Sequence, residues 1–220
     1  MKIIAASATI ETCPPYDEVL LAVERATRTA YKSEDLGGTR ESAERVIRKC
    51  LASQPFPHES VIEHATATVR FIVSRATSHE LVRHRIGVAI TQESQRYTAY
   101  NKAKFGGEIT VIQPCFWNEY ETPGRWHRWH NSCLADEANY LALLQDGAAP
   151  QEAREVLPNS TKTEVVFTAN LREWRHVFRL RCDKAAAPPM REVMRPLLLE
   201  FKKRLPVFFE DPSFPTTWNG

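Results

Sequence analysis

Arg83, His84 and Arg85 are consecutive, and Glu93, Ser94, Gln95 and Arg96 follow after a mostly apolar interval, Ile86 to Ile90. Two guanidinium groups flanking an imidazole suit phosphate oxygens, because each guanidinium can donate to two oxygens at once. On a helix, successive side chains diverge by about 100°, so three neighbours cannot share a face. If all three meet one ligand, they sit where a helix ends and the chain turns. Gly87 suits such an ending, because it tolerates backbone angles other residues resist. The same residues also suit a solvated basic helix end with no ligand.

Two other segments carry groups of chemical interest. His58-Glu59-Ser60-Val61-Ile62-Glu63-His64 invites a zinc reading, but its histidines are six apart. A zinc-binding helix needs them four apart on one face, so no metal site is expected. The segment reads as a polar turn before a strand, or as a polar rim around a pocket. Arg172, Arg175, His176 and Arg179 lie among apolar Trp174, Val177 and Phe178. The five cysteines, Cys13, Cys50, Cys115, Cys133 and Cys182, form no Cys-x-x-Cys pair. Neither a zinc site nor a disulfide framework is signalled, and reduced thiols in the cytoplasm are the simplest account.

Elements must hold these groups. Residues 2–10 read as one strand ending before Pro14-Pro15. From Asp17, a candidate cap, the apolar spacing turns helical. After Gly37-Gly38, Thr39 is placed to cap a second helix through Ala43, Val46, Ile47 and Leu51, stopped by Pro55 and Pro57. Residues 65–75 alternate, with Ala67, Val69, Phe71 and Val73 on one side, which predicts a half-buried strand. Ala76 to Arg83 reads as a helix that delivers Arg-His-Arg to its C-terminal end. Ile109 to Ile112 is a short strand. Residues 123–146 predict a helix with Trp126, Trp129, Cys133, Tyr140 and Leu144 as its buried stripe. Another helix starts at Pro150 and closes at Pro158. Thr163 to Thr168 is strand-like. Leu171 to Leu180 and 189–205 are helical, and the Pro-rich tail from Pro206 to Gly220 is expected to be irregular.

The totals narrow the function. The chain has 220 residues, enough for one well-buried domain. Apolar content of 43% and charged content of 25% are ordinary for a soluble globular protein. A net charge of +2 speaks against a sequence-indifferent grip on nucleic acid. The basic residues are local instead, which fits a small anionic ligand. No apolar run approaches the ~20 residues needed to cross a bilayer, so no membrane association is expected. The first apolar run is also too short for a signal peptide.

Several of these segments, in this order, resemble the flavin-dependent thymidylate synthases. The family signature is Arg-His-Arg, seven residues, then Ser, followed closely by Arg-Tyr. Arg83-His84-Arg85 and Ser94-Gln95-Arg96-Tyr97 match its ends. His58 to His64 is similar to the segment before the family's central strand. Ala153 to Cys182 is similar to its later substrate-binding region, and Ala185 to Glu192 to the start of its final helix. The resemblance runs over most of residues 15–205 and implies a single α/β domain of the α+β type over 1–220. In that fold a central, mostly antiparallel sheet is packed with long helices.

By the same resemblance the chain makes dTMP from dUMP. Methylenetetrahydrofolate supplies the carbon, and NADPH reduces a tightly bound FAD that delivers hydride. The active form is a homotetramer with sites shared between subunits. Arg83, His84 and Arg85 would hold FAD, with Ser60, Glu63, Gln92, Asn170, Leu171, Arg172 and His176 contributing. Ser94, Gln95, Arg96 and Arg154 would surround the dUMP phosphate, with Glu80, Leu81, Val82, Arg83, Gln92 and Glu93 beside that substrate site. Arg181 would meet the uracil ring, where a fixed cation stabilises negative charge, and is the best catalytic candidate. Ser94, the second, reads as a binding and orienting hydroxyl, since no neighbouring base activates it.

Three departures stand out. Eight residues, not seven, separate Arg85 from Ser94. Glu80 stands where a glutamine is common, placed to pair with an arginine. His176 stands where some members have asparagine. Two readings without chemistry compete: a nucleotide- or RNA-binding protein using the same arginines, and an oligomer whose arginines pair across subunits.

Overall fold

The computed structural model describes residues 1–218. Its centre is a four-stranded antiparallel sheet built from β2 (Ser7–Thr12), β3 (Thr66–Ser74), β4 (Val88–Gln92) and β6 (Lys162–Asn170), in the order β2-β3-β6-β4. The alternation in residues 65–75 is borne out. Ala67, Val69, Phe71 and Val73 are buried, and the intervening residues from Val69 onward are half-exposed. β6 runs longer than Thr163 to Thr168 and pairs with β3 over its whole length, from Thr66↔Asn170 to Ser74↔Lys162. That register puts Asn170 at the end of the sheet, where a helix begins directly.

The expected single strand over 2–10 is corrected. β1 (Lys2–Ile4) pairs in parallel with β5 (Thr110–Ile112) as a separate two-stranded sheet. Two hydrophobic clusters divide the segment between them. Ile3 packs into a small cluster with Ile109, Val111 and Tyr140, whereas Ala8 and Ile10 face the main core. β4 is a strand that the sequence reading does not place. Val88, Ile90 and Gln92 point inward from it, opposite Ala169, Phe167 and Val165.

Helices cover the inner face of the sheet. α1 (Tyr16–Thr29) is not capped by Asp17. Pro15 occupies the cap position, and Asp17 and Glu18 lie in the first turn, where negative charge meets the helix's positive end. α2 (Arg40–Leu51) begins as expected, with the Thr39 hydroxyl accepting from the Ser42 N–H at 3.2 Å. α3 (Arg75–Leu81) ends two residues before Arg83. In α4 (Pro123–Gln145) the buried stripe shrinks to Cys133 and Tyr140; Trp126, Trp129 and Leu144 are half-exposed. α5 (Pro150–Ala153) gives way to a 3₁₀ turn at Arg154–Val156 well before Pro158.

α6 (Leu171–Arg181) and α7 (Pro188–Arg204) pack over the sheet through an aromatic cluster. Trp174, Phe178 and Phe201 are fully buried, and the Trp174 indole N–H donates to the Ala67 carbonyl at 3.1 Å, tying α6 to β3. The Pro-rich tail makes one 3₁₀ turn at Pro206–Phe208 and is irregular beyond it. It is nevertheless packed, because Phe208, Phe209 and Phe214 are buried in the same core. Its last two positions, 219–220, lie outside the described residues. Among the described residues, no helix is long and apolar enough to cross a membrane.

Candidate active site

The site forms where β6 runs into α6 and where α3 turns into β4. Asn170 ends the strand and caps the helix, its side-chain oxygen accepting from the Glu173 N–H at 2.9 Å. Across from it, the chain leaves α3 and turns through Arg83 to Gly87. Gly87 has φ +66°, and a Cβ there would lie 2.9 Å from the Asn170 amide nitrogen. Only glycine accommodates both the angle and the approach. Gly87→Ala is therefore expected to destabilise the fold by about 1–2 kcal/mol from the backbone angle alone. Urea denaturation checks this.

The three basic neighbours do not share one environment. Arg83 and Arg85 are exposed and make no ion pair among the described residues. His84 points the other way and is buried. Its Nδ1 lies 3.2 Å from Glu173 Oε1, and its Nε2 lies 3.0 Å from Arg181 Nε. Burial, reinforced by the Arg181 guanidinium and His176, pulls the His84 pKa down to about 4, so the ring is neutral near pH 7. Arg181 also donates from Nη1 to Glu80 Oε2 and from Nη2 to the Glu80 carbonyl, both at 3.0 Å. The expected arginine partner of Glu80 is Arg181.

An open cleft of about 560 Å³ lies beside this network. Ile86, Gly87, Asn170, Arg172, His176 and Arg179 line it together with Glu59, Glu63 and Glu173. Arg172 pairs with Glu63 at 2.5 Å, and Arg179 pairs with Glu59 at 2.9 Å. Burial pushes the Glu59 carboxyl up, but bonds from Arg179 and Arg175 outweigh it and hold Glu59 below its ordinary value. The cleft's own arginines are thus matched by carboxylates; Arg83 and Arg85, exposed and without an ion pair among the described residues, lie on the turn that leads into Ile86 and Gly87 of its wall. With the Asn170 amide and the exposed His176 imidazole, that donor set suits an anionic diphosphate. His84, Glu173 and His176 bring one possible metal-ligand atom each within 4.8 Å of one another. Both His84 nitrogens are already engaged, so of this trio His84 has no free nitrogen for a metal.

The remaining predicted residues form a second group. The Gln92 amide donates to Ser78 Oγ at 2.9 Å and Thr163 Oγ1 at 3.2 Å. Glu93 takes Lys162 at 3.1 Å and the Tyr100 hydroxyl at 3.1 Å. Ser94 is exposed and its hydroxyl accepts from the Arg96 N–H; Gln95 beside it is half-buried. The Arg96 side chain reaches Gln151 on α5, and Arg154, just after that helix, has Glu155 at 3.6 Å. Among the described residues, no hydrogen bond or ion pair joins Arg96 or Arg154 to Arg181. Ser60 is exposed and Val82 half-buried. Leu81 and Leu171 are buried in the core, so only their backbone is free to meet a ligand.

Sequence reasoning singled out the segments that carry Glu59 and Arg179 without giving either a place in the site, and it missed Glu173. A signal existed for Glu173, which stands three residues after a helix-capping asparagine, at the positive end of a helix.

A family model described as "Thymidylate synthase complementing protein" matches residues 16–207. The chain is 35% identical over 193 residues to a protein of Geobacter sulfurreducens named flavin-dependent thymidylate synthase, covering 86% of this chain and 80% of that one. A protein of the same name from Corynebacterium aurimucosum is 32% identical over 216 residues, covering 90% and 82%. A solved structure of the UMP/dUMP methylase PolB from Streptomyces cacaoi, bound with 5-Br dUMP, has a TM-score of 0.75 over 96% of each chain. At 22% identity that likeness concerns the fold. The match over residues 16–207 and the two relatives place the chain in one family: it belongs to the flavin-dependent thymidylate synthases.

Proposed function

We propose that this protein methylates dUMP reductively to dTMP, with methylenetetrahydrofolate as carbon donor, NADPH as reductant and FAD as its bound cofactor. When bound, the flavin supplies the hydride that completes the methyl group. One observation carries the reading beyond family membership: Glu80 and His84 hold Arg181, and Glu173, which faces His84, lines a cleft whose wall at Ile86 and Gly87 directly follows the exposed Arg83 and Arg85 in the chain.

In this reading Arg83 and Arg85 hold the FAD diphosphate. Asn170, Arg172 and His176 donate to it from the cleft wall, the backbone of Leu171 lies alongside, and Ser60, Glu63 and Gln92 complete the polar surroundings. The Arg181 guanidinium faces the uracil ring and stabilises negative charge as N3 loses its proton. Ser94, Gln95, Arg96 and Arg154 bind the dUMP phosphate as hydroxyl, amide and guanidinium donors. Glu80 and Val82 flank the nucleotide, and Glu93, braced by Lys162, sets the direction of the strand end that carries Ser94.

The active form in this reading is a homotetramer, as the family resemblance implies, with a neighbouring subunit completing the site. The substrate is a free nucleotide and the setting is cytoplasmic; no nucleic acid or membrane takes part. A flavin titration followed by absorbance tests the cofactor assignment. Arg83→Ala is expected to weaken FAD binding about 10- to 100-fold, the size of one lost charge-assisted hydrogen bond. An unchanged affinity contradicts it.

A further inference from the structure

Glu173 has no part in the roles assigned above, yet it lines the cleft and faces His84, which in turn holds Arg181. It lies in the first turn of α6, its backbone fixed by Asn170 and its side chain only 13% exposed. Its carboxylate faces His84 Nδ1 at 3.2 Å, and Arg181 Nε faces the opposite nitrogen of the same ring at 3.0 Å. A guanidinium has donors only. Nε2 must therefore present its lone pair to Arg181, and the single proton of the neutral ring must be on Nδ1. There it donates to the carboxylate. The other tautomer sets N–H against N–H on one side and lone pair against carboxylate on the other.

We propose that Glu173 is a positioning residue: by fixing the tautomer of His84 it fixes the direction of the Arg181 guanidinium. The assignment rests on the functional reading above, in which Arg181 faces the uracil ring. It also changes the part played by His84. With both nitrogens taken, the imidazole is a bridge between the cleft wall and Arg181 and has no nitrogen left for the flavin. Arg181 is then held from three directions, by His84, by the Glu80 carboxylate and by the Glu80 carbonyl.

The test combines a spectroscopic signature with kinetics. Long-range nitrogen–proton correlation spectra of histidine-labelled protein, with His84 assigned by comparison with His84→Gln, report the tautomer directly. The unmodified protein is expected to show the Nδ1–H form. In Glu173→Ala only the Arg181 donor still favours that form, so the ring is expected to exchange between the two tautomers and the signature to weaken. The variant's kcat/KM for dUMP, counted per bound flavin, should fall about tenfold, the size of one lost hydrogen bond to a charged group. Glu173→Gln keeps an oxygen that accepts from Nδ1–H and should recover most of both. If the alanine variant does not fold, Glu173→Asp, one methylene short of the ring, carries the same expectation.

An Nε2–H ring in the unmodified protein overturns the proposal. So does an alanine variant that keeps both signature and kinetics, or a glutamine variant that recovers neither. A rate that falls only in proportion to lost flavin also overturns it. The tautomer readout needs no turnover, so it decides the proposal even if the unmodified protein forms no dTMP, a result that would refute the functional reading instead.

Discussion

Arg181→Ala is expected to lower dTMP formation by about 10²–10³-fold, the usual cost of removing a donor aimed at charge that develops in the transition state. The fold and flavin uptake should survive. The Arg181 side chain is 18% exposed and its partner Glu80 is 33% exposed, so water replaces the guanidinium at the carboxylate. At His84, only 5% exposed, the Nε2 lone pair loses its donor, and the cost to stability is that of one unsatisfied buried acceptor, about 1–3 kcal/mol. The measurement is dTMP produced per bound flavin at saturating dUMP. A variant within a few-fold of the unmodified rate contradicts the role given to Arg181. It would favour the readings in which these arginines only bind anions or pair across subunits.

Arg175→Ala is expected to cost about 3–5 kcal/mol of stability, as for breaking a buried ion pair by removing one partner. Arg175 is only 2% exposed although it carries a full charge. It donates to Glu59 at 2.9 Å, to Asp211 at 2.7 Å and to the Phe208 carbonyl, and its guanidinium lies 4.8 Å from the centre of the Phe214 ring. One side chain thus ties the cleft wall, α6 and the tail together. Removing it takes one donor from each of two carboxylates and leaves the Phe208 carbonyl without its side-chain donor.

The same network sets a dependence on pH. Burial raises both carboxyls, but Arg179 and Arg175 hold Glu59 below its ordinary 4.5, and Ser213 and Arg175 hold Asp211 below its ordinary 3.8. The unfolded chain takes up these protons first on acidification. The stabilisation is therefore present above the ordinary carboxylate values and is lost as pH falls through the lower native ones. Urea denaturation across the acid range should show stability falling below about pH 4.5 in the unmodified protein and a shallower fall in Arg175→Ala. Equal slopes would show that Arg175 does not hold these carboxylates.

Much of this was legible in the residues. The alternation of β3 and the Thr39 cap read directly, because each is a local pattern enforced by local physics. The motif Arg83-His84-Arg85 pointed to the turn after α3, but the different environments of its three side chains did not show. Three consecutive side chains leave a turn in different directions, and which one enters the interior depends on α6, nearly a hundred residues later. β4 was hidden because five residues at a sheet edge are too few to separate alternation from a plain apolar run. The split between β1 and β2 followed from two hydrophobic clusters competing for one segment, which no window of sequence reveals. The half-exposed tryptophans of α4 are a similar case, since helical spacing gives a stripe but not the width of the surface that receives it.

The most direct measurement of the central claim is a single turnover without oxygen. NADPH is added to the flavin-loaded protein until the flavin absorbance bleaches, and dUMP and methylenetetrahydrofolate follow. The account predicts that the flavin colour returns as dTMP forms, in an amount matching the flavin present. A protein that takes up no FAD, or a reduced flavin that reoxidises without yielding dTMP, contradicts it.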